Sequence, residues 1–180
     1  REDLASVVPT WIGIVETELS RRLRDRRMIT RATATLNNQY IKPPSSMVAL
    51  RNIQLNTDPP TALTQITPDV MDEKRASSNA FGRPAFYAHL GQQIEFYPTP
   101  DTDHTIEIAY FRTIPSLTSV NTTNWLIEYH PDAYLYGSLK QAGPYLGDQN
   151  VTTTFNTYFE QAIQQIIQHD TGTPIHVTIK

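Results

Sequence analysis

The chain has 180 residues, 39% hydrophobic and 18% charged, a size and balance that fit one domain with a modest core. Its formal net charge of −3 gives no global case for nucleic-acid binding, and the absence of cysteine excludes disulfide frameworks, thiolate catalysis and Cys-based zinc sites. No apolar run approaches the roughly 20 residues of a membrane span, and the polar start Arg1-Glu2-Asp3 does not read as a signal peptide.

Residues 4–27 read as an amphipathic helix. Val8, Trp11, Ile12, Val15, Leu19 and Leu23 recur at spacings of three and four, with Pro9 in the first turn and Ser6 or Thr10 as candidate caps. The opposite face carries Arg21, Arg22, Arg24, Arg26 and Arg27, with Arg31 just beyond. This is the most asymmetric charge feature of a net acidic chain. It fits either a solvated face at the negative end of the helix dipole or a contact with an anionic partner, an acidic protein surface or phosphates.

The pattern then changes to strands. Thr30–Leu36 alternates, Asn37-Asn38 signals a turn, and Gln39–Ile41 resumes. Met47–Leu55 is a longer strand, and Thr61–Ile66 a short one. Thr67 caps a short helix whose first residue is Pro68. A hairpin follows, Ala85–Leu90 and Gln93–Tyr97 around Gly91-Gln92. Thr105–Arg112 is the clearest alternating strand, with Ile106, Ile108 and Tyr110 on one face.

Helical periodicity returns at Pro131-Asp132, which suit a helix start. Tyr134, Leu135, Leu139, Ala142 and Leu146 form its expected stripe, and Pro144 should kink or divide it. Asp148 is the expected cap of the next helix, whose apolar positions are Val151, Phe155, Tyr158, Phe159, Ala162, Ile163, Ile166 and Ile167. The tail Ile175-His176-Val177-Thr178-Ile179-Lys180 alternates like a strand in search of a partner sheet. The expected class is α+β: a helical bundle from the N- and C-terminal helices (about 4–27, 131–146 and 149–169) with an inserted, mostly antiparallel sheet (about 29–115). Residues 1–170 are expected to be one domain, with 171–180 as a C-terminal arm.

Catalytic signals are weak. No two of the five histidines share a helical metal-ligand spacing, and there is no Gly-rich phosphate loop and no Gly-x-Ser-x-Gly elbow. Asp101, Asp103 and His104 fit a solvated turn better than a metal site. Glu95 and Glu107, on neighbouring expected strands, are the one candidate acid/base pair, expected on the polar sheet face where a carboxylate is normally just solvated. His130 is expected to cap or pack. No cofactor or metal is expected, and no catalytic residue.

The ordered set Asn124-Trp125-Leu126, His130-Pro131-Asp132, Tyr134-Leu135-Tyr136-Gly137-Ser138-Leu139, Ala142 and Pro144-Tyr145-Leu146 resembles a family of tailed-bacteriophage head-to-tail adaptor (connector) proteins. Leu23-Arg24, Arg31-Ala32-Thr33-Ala34, Gly82-Arg83-Pro84, Pro98-Thr99-Pro100 and Arg112-Thr113-Ile114-Pro115 agree in order, so the resemblance covers about residues 5–170. It implies a non-enzymatic virion protein at the portal vertex, assembled in the host cytoplasm. Several copies, often a dodecamer, would form a ring between the portal and the tail (nozzle or tube) proteins. Double-stranded DNA would pass through the ring without sequence-specific binding, and no membrane is involved. It also implies that 171–180 is a portal-binding arm and that the arginine-rich helix end faces the portal, a neighbouring subunit or the lumen. The rival readings are a cell-wall glycoside hydrolase acting through Glu95 or Glu107, and a carbohydrate- or protein-binding module using the hairpin aromatics.

Overall fold

The structure, a computed structural model, describes Leu4 and residues 6–171. They fall into two compact units, one built from the residues up to Met28 and from Thr113 onward, the other from Ile29–Arg112. The class is α+β, with helices α1 (Val8–Arg22), α2 (Pro68–Ser77), α3 (Trp125–Tyr129), α4 (Pro131–Leu146) and α5 (Gln149–Thr171).

The 29–112 unit holds two four-stranded sheets. The strands are β1 (Ile29–Leu36), β2 (Tyr40–Ile41), β3 (Met47–Leu55), β4 (Thr61–Ala62), β5 (Thr64–Gln65), β6 (Phe86–Leu90), β7 (Gln93–Tyr97) and β8 (His104–Arg112). One sheet runs β1-β8-β3-β4 and the other β2-β7-β6-β5, antiparallel except for the short β5–β6 pair. The expected single strand over Thr61–Ile66 is two strands in different sheets. The chain changes sheets at buried Leu63, whose N–H bonds to Ile53 O, while that of Thr64 bonds to Ala85 O. Both sheets contribute to one core: Leu36, Ile53, Leu55, Ile106, Ile108 and Tyr110 from the first, Tyr87, Ile94 and Phe96 from the second. The alternation of β8 is observed as read, with Ile106, Ile108 and Tyr110 all buried.

Glu95 and Glu107 do not lie on neighbouring strands as expected. Glu95 lies on β7 and Glu107 on β8, in different sheets. Glu95 is also not on a solvated face, being buried at 3% exposure. It is satisfied by Arg75 of α2 (2.9 Å) and by the Gln39 amide (2.8 Å). Arg75 donates besides to Phe96 O and Thr99 Oγ1, so the buried pair anchors α2 to its sheet. Glu107 accepts from Arg31 on β1 and Gln54 on β3, a cross-strand tie spanning three strands.

In the helical unit, α1 buries Trp11, Val15 and Leu19 along the stripe expected from their spacing, but also Glu16 and Ser20. The helix is shorter than the expected 4–27. Neither Ser6 nor Thr10 caps it: Val7 occupies the cap position without a side-chain bond. It ends at Arg22 because Leu23 turns extended and buries its side chain. Buried Asp25 then caps a 3-10 turn, Arg26–Met28, by accepting from the Arg27 N–H at 2.7 Å.

Asn124 starts α3, a helix the sequence did not signal separately. Its Oδ1 accepts from the N–H groups of Leu126 and Ile127, both at 3.0 Å, and its amide donates to Pro115 O and Tyr134 Oη, both at 2.8 Å. Pro131 opens α4 as expected. Pro144 does not divide this helix: it sits one turn from the end, where one hydrogen bond is forfeited, and the helix runs on to Leu146 before Gly147 closes it in the left-handed region at φ 70°. The buried side of α4 is Ala133, Tyr134, Gly137, Ala142 and Gly143, whereas Leu135 and Leu146, expected in the stripe, are exposed. Small residues win because α1 and α5 come close: a Cβ on Gly137 would lie 2.7 Å from Val15 Cγ1 and 2.9 Å from Phe159 Cε2. Asp148 caps α5 as expected, accepting from Asn150 and Val151. On α5, Phe159, Ala162, Ile163 and Ile166 are buried, while Tyr158 and Ile167 are exposed.

Two carboxylates clasp these helices. Glu18 of α1 accepts from Arg22 and from Lys140 of α4 at 2.9 Å. Glu160 of α5 receives both Arg22 amino groups. That fork holds the Glu160 carboxyl below its ordinary range and raises the Arg22 guanidinium above its own.

Three outcomes follow from this packing. Gly137→Ala gains about 1 kcal/mol of helix propensity but overpacks the core by about 1–3 kcal/mol, so its urea midpoint falls. Asn124→Ala loses about 2–3 kcal/mol, a cap plus two donated bonds. Asn124→Asp recovers only the cap, since it cannot donate to Pro115 O or Tyr134 Oη; a wild-type midpoint for Asp would contradict this role. Glu160→Gln costs about 0.2–1 kcal/mol at pH 7, as expected of a pair this exposed. Because its folded pKa is depressed, the contribution is present above the unfolded carboxylate pKa and fades as pH falls through the folded one. The gap between wild type and Glu160→Gln therefore closes in acid denaturation series.

Candidate partner interface

The arginine-rich end of α1 is shaped by its own backbone. The last carbonyls of a helix lack amide partners, and arginine donors supply them. Arg24 Nη1 donates to the carbonyls of Ser20, Arg21 and Leu23, and Arg21 Nε to Thr17 O. Arg22 is held by Glu18 and Glu160, and Arg26 by Asp170 at 2.8 Å. Arg31 belongs to the other unit, on β1, where it pairs with Glu107. Four of the six expected partner-binding arginines thus have donors committed within the helical unit, and a fifth within the sheet unit.

Arg27 differs. Its guanidinium carbon lies 4.4 Å from the Tyr129 ring centroid and 5.5 Å from that of Trp125, so α3 supplies two aromatic faces for it. Its Nη1 is out of water and has no hydrogen-bond partner among the described residues. With Asp25, Arg26, His169 and Asp170 it lines a pocket of about 310 Å³. Nearby, His130 packs edge-on against His169 at 6.2 Å and makes no cap bond. Burial lowers the His130 pKa; Arg27 and His169 act in the same direction, and Asp132 and Asp25 oppose them.

A second pocket shares this end, lined by Arg22, Leu23, Arg24, Asp25, Ile166, Ile167 and Asp170. The arginine run of the sequence lies at this end of α1. Sequence spacing did not reveal Trp125 and Tyr129 as the platform for Arg27, or Asp25 as the residue that turns the chain. An Asp inside an arginine run, just past an apolar stripe, was the available signal.

The expected arm residues Ile175, His176, Val177, Thr178, Ile179 and Lys180 lie outside the described residues. Among the described residues no group of three His, Cys, Asp or Glu side chains is placed to hold a metal, and no helix is long and apolar enough to cross a membrane. Asp101, in the turn before β8, and His104, the first residue of that strand, approach at 3.5 Å, an isolated contact with no further ligand group among the described residues.

No curated protein matches the chain. The family model described as SU10 adaptor protein matches residues 1–178, and the chain therefore belongs to the SU10 adaptor protein family, a phage head-to-tail adaptor family of structural proteins.

Proposed function

We propose that this protein is a ring-forming subunit that joins the portal to the tail proteins of a tailed phage and extends the channel through which DNA leaves the head. The observation that carries the reading is the family match along residues 1–178. On this reading the ring is a dodecamer, assembled in the host cytoplasm and retained at the head–tail interface of the virion. The helical unit supplies the portal-facing surface at the arginine-rich end of α1, and residues 171–180 are the arm that engages the portal. The alternating Ile175, Val177 and Ile179 suit addition to a partner strand, one apolar face in and one polar face out.

The internal pairing of the arginines fits a channel that lets DNA slide. A protein that neutralises several phosphates binds DNA strongly and with steep salt dependence, which opposes passage. Arginines already committed to Glu18, Glu160, Asp170 and Glu107 offer little to phosphates. The glycosidase alternative loses its residue pair, since Glu95 and Glu107 lie in separate sheets, each tied to an arginine.

Removal of residues 171–180 should weaken binding to the purified portal by at least about tenfold, the loss of a short strand-addition contact. It should leave the melting transition of the remaining chain intact. Calorimetric titration of both forms into portal measures this, and full affinity of the truncated chain rules out the arm. Electron microscopy of the wild-type mixture should show a ring on the portal; a portal free of added density at saturating protein would sink the adaptor assignment.

A further inference from the structure

The two sheets end in the edge strands β1, β4, β2 and β5, and three of these are blunted. β2, β4 and β5 are two residues long, and proline closes each: Pro43-Pro44 after β2, Pro59-Pro60 before β4 and Pro68 after β5. β1 is different. It runs for eight residues in unbroken register with β8 and contains no proline, glycine or lysine. Its one charge, Arg31, is offset by Glu107. The neighbouring ladder fixes which of its backbone groups are free. The Asn56 N–H bonds to Thr105 O, so Thr105 and Glu107 turn their backbone groups to β3, while Ile106 and Ile108 turn theirs to β1. Their partners Ala34 and Ala32 therefore complete the ladder, and Arg31, Thr33 and Thr35 aim their N–H and C=O groups at the open edge. Among the described residues no backbone bond from outside the β8 ladder reaches β1. The side chains of Arg31, Thr33 and Thr35 are exposed, and half-buried Ala32 and Ala34 pack on the core from the other face.

We infer that this edge pairs two copies of the chain, β1 against β1, antiparallel about a two-fold axis. A second copy is the occupant for two reasons. β1 is the one free edge of the described chain that offers a strand of matching length, and it is complementary to itself. With Thr33 set against its own counterpart, Arg31 of each copy faces Thr35 of the other. About six main-chain hydrogen bonds then form, two at each of three facing pairs. A shift that brings the two copies of Arg31 closer makes them first diagonal neighbours and then directly opposed, and the reverse shift runs past the end of β1, so like charge and strand length select the Thr33 register. Ala32 and Ala34 are small enough to let the strands close to about 4.8 Å. An isologous contact closes on itself, so it gives a dimer and differs from the head-to-tail contact that a ring requires. The inference is independent of the adaptor reading and needs no portal for its test.

The test is sedimentation equilibrium of the full chain with wild type, Thr33→Lys and Thr33→Pro, each also melted by circular dichroism. Wild type should be dimeric at about 100 μM, the range of a contact made from a few hydrogen bonds of modest net worth. Thr33 is paired with Glu107, so lysine there suits the single chain but sets two like charges face to face across the axis. Thr33→Pro deletes a free-edge N–H and spares the β8 ladder. Each should weaken dimerisation by at least about tenfold. Thr33→Cys supplies the only thiol of the chain, and facing Cα atoms about 5.5 Å apart are within reach of a disulfide. Under mild oxidation it should cross-link at least about tenfold faster than Thr153→Cys on the exposed side of α5. A wild-type chain still monomeric at about 500 μM overturns the pairing. So does wild-type association in folded Thr33→Lys and Thr33→Pro, which places any contact on another surface, and so do equal cross-linking rates for the two cysteine variants.

Discussion

The carboxylate of Glu16 accepts two hydrogen bonds from residues about a hundred positions further along the chain, and the helical unit closes around it. One comes from the Leu117 N–H at 2.7 Å, the other from the Tyr134 hydroxyl at 3.1 Å. Tyr134 is in turn reached by the Asn124 amide, which also holds Pro115 O and caps α3. A single buried network therefore fixes α1, the connector after β8, α3 and α4. Burial pushes the Tyr134 phenol well above its ordinary pKa, with Glu16 adding to the effect, so it remains a donor throughout the neutral range. A half-satisfied polar network would be worse than an apolar core, and here each member has its partners. The aromatic stretch around Trp125 and the tyrosines is held through Asn124, the least conspicuous residue in it.

Much of the fold was legible because local rules and tertiary packing agree. Pro68 after Thr67, Pro131 before Asp132 and Asp148 before α5 are start signals with one physical meaning, and all three helices begin there. The alternation of Thr105–Arg112 reports a strand whose Ile106, Ile108 and Tyr110 face is buried as expected, with Ala109 of the other face buried besides. Where expectation failed, a distant partner decided. Leu135 and Leu146 look like stripe residues, yet Gly137 and Gly143 face the neighbouring helices because the close approach leaves no room for larger side chains. Glu95 sits in a strand whose alternation looks polar, and Arg75, twenty positions earlier on another element, makes its burial tolerable. Such compensation depends on non-local pairing, which spacing along the chain cannot reveal.

The arginine run illustrates the same limit at the interface. Six guanidinium groups in a short stretch look like an anion-binding surface when counted by type. Counted by partner, they are helix-end caps, inter-helix clasps and a cross-strand tie. Exposed pairs of this kind each add little to stability, about 0.2–1 kcal/mol. Their greater effect is on the surface potential: every internal pair offsets a positive charge that an anionic partner would otherwise meet. The aromatic seat of Arg27 is the exception, and it requires α3, a five-residue helix that exists because Asn124 caps it and Pro131 starts a new helix immediately after.

The discontinuity of the helical unit poses a folding problem that the sheet unit answers. Its two segments are separated in sequence by all of residues 29–112, so bringing Glu16 to Tyr134 closes a long loop unless that intervening chain is restrained. Closing so long a loop as free chain costs entropy, which grows with the logarithm of its length. But the intervening unit begins with β1 and ends with β8, and these are antiparallel partners in continuous register from Ile29↔Phe111 to Leu36↔His104. Pairing them brings the entry and exit of the sheet unit within about one strand spacing, roughly 5 Å. Once that ladder has formed, the segments on either side are tethered as if by a short connection, and the buried network around Glu16 can assemble at the entropy cost of a local contact. The unbroken β1–β8 ladder thus also draws together the two segments from which the helical unit is built.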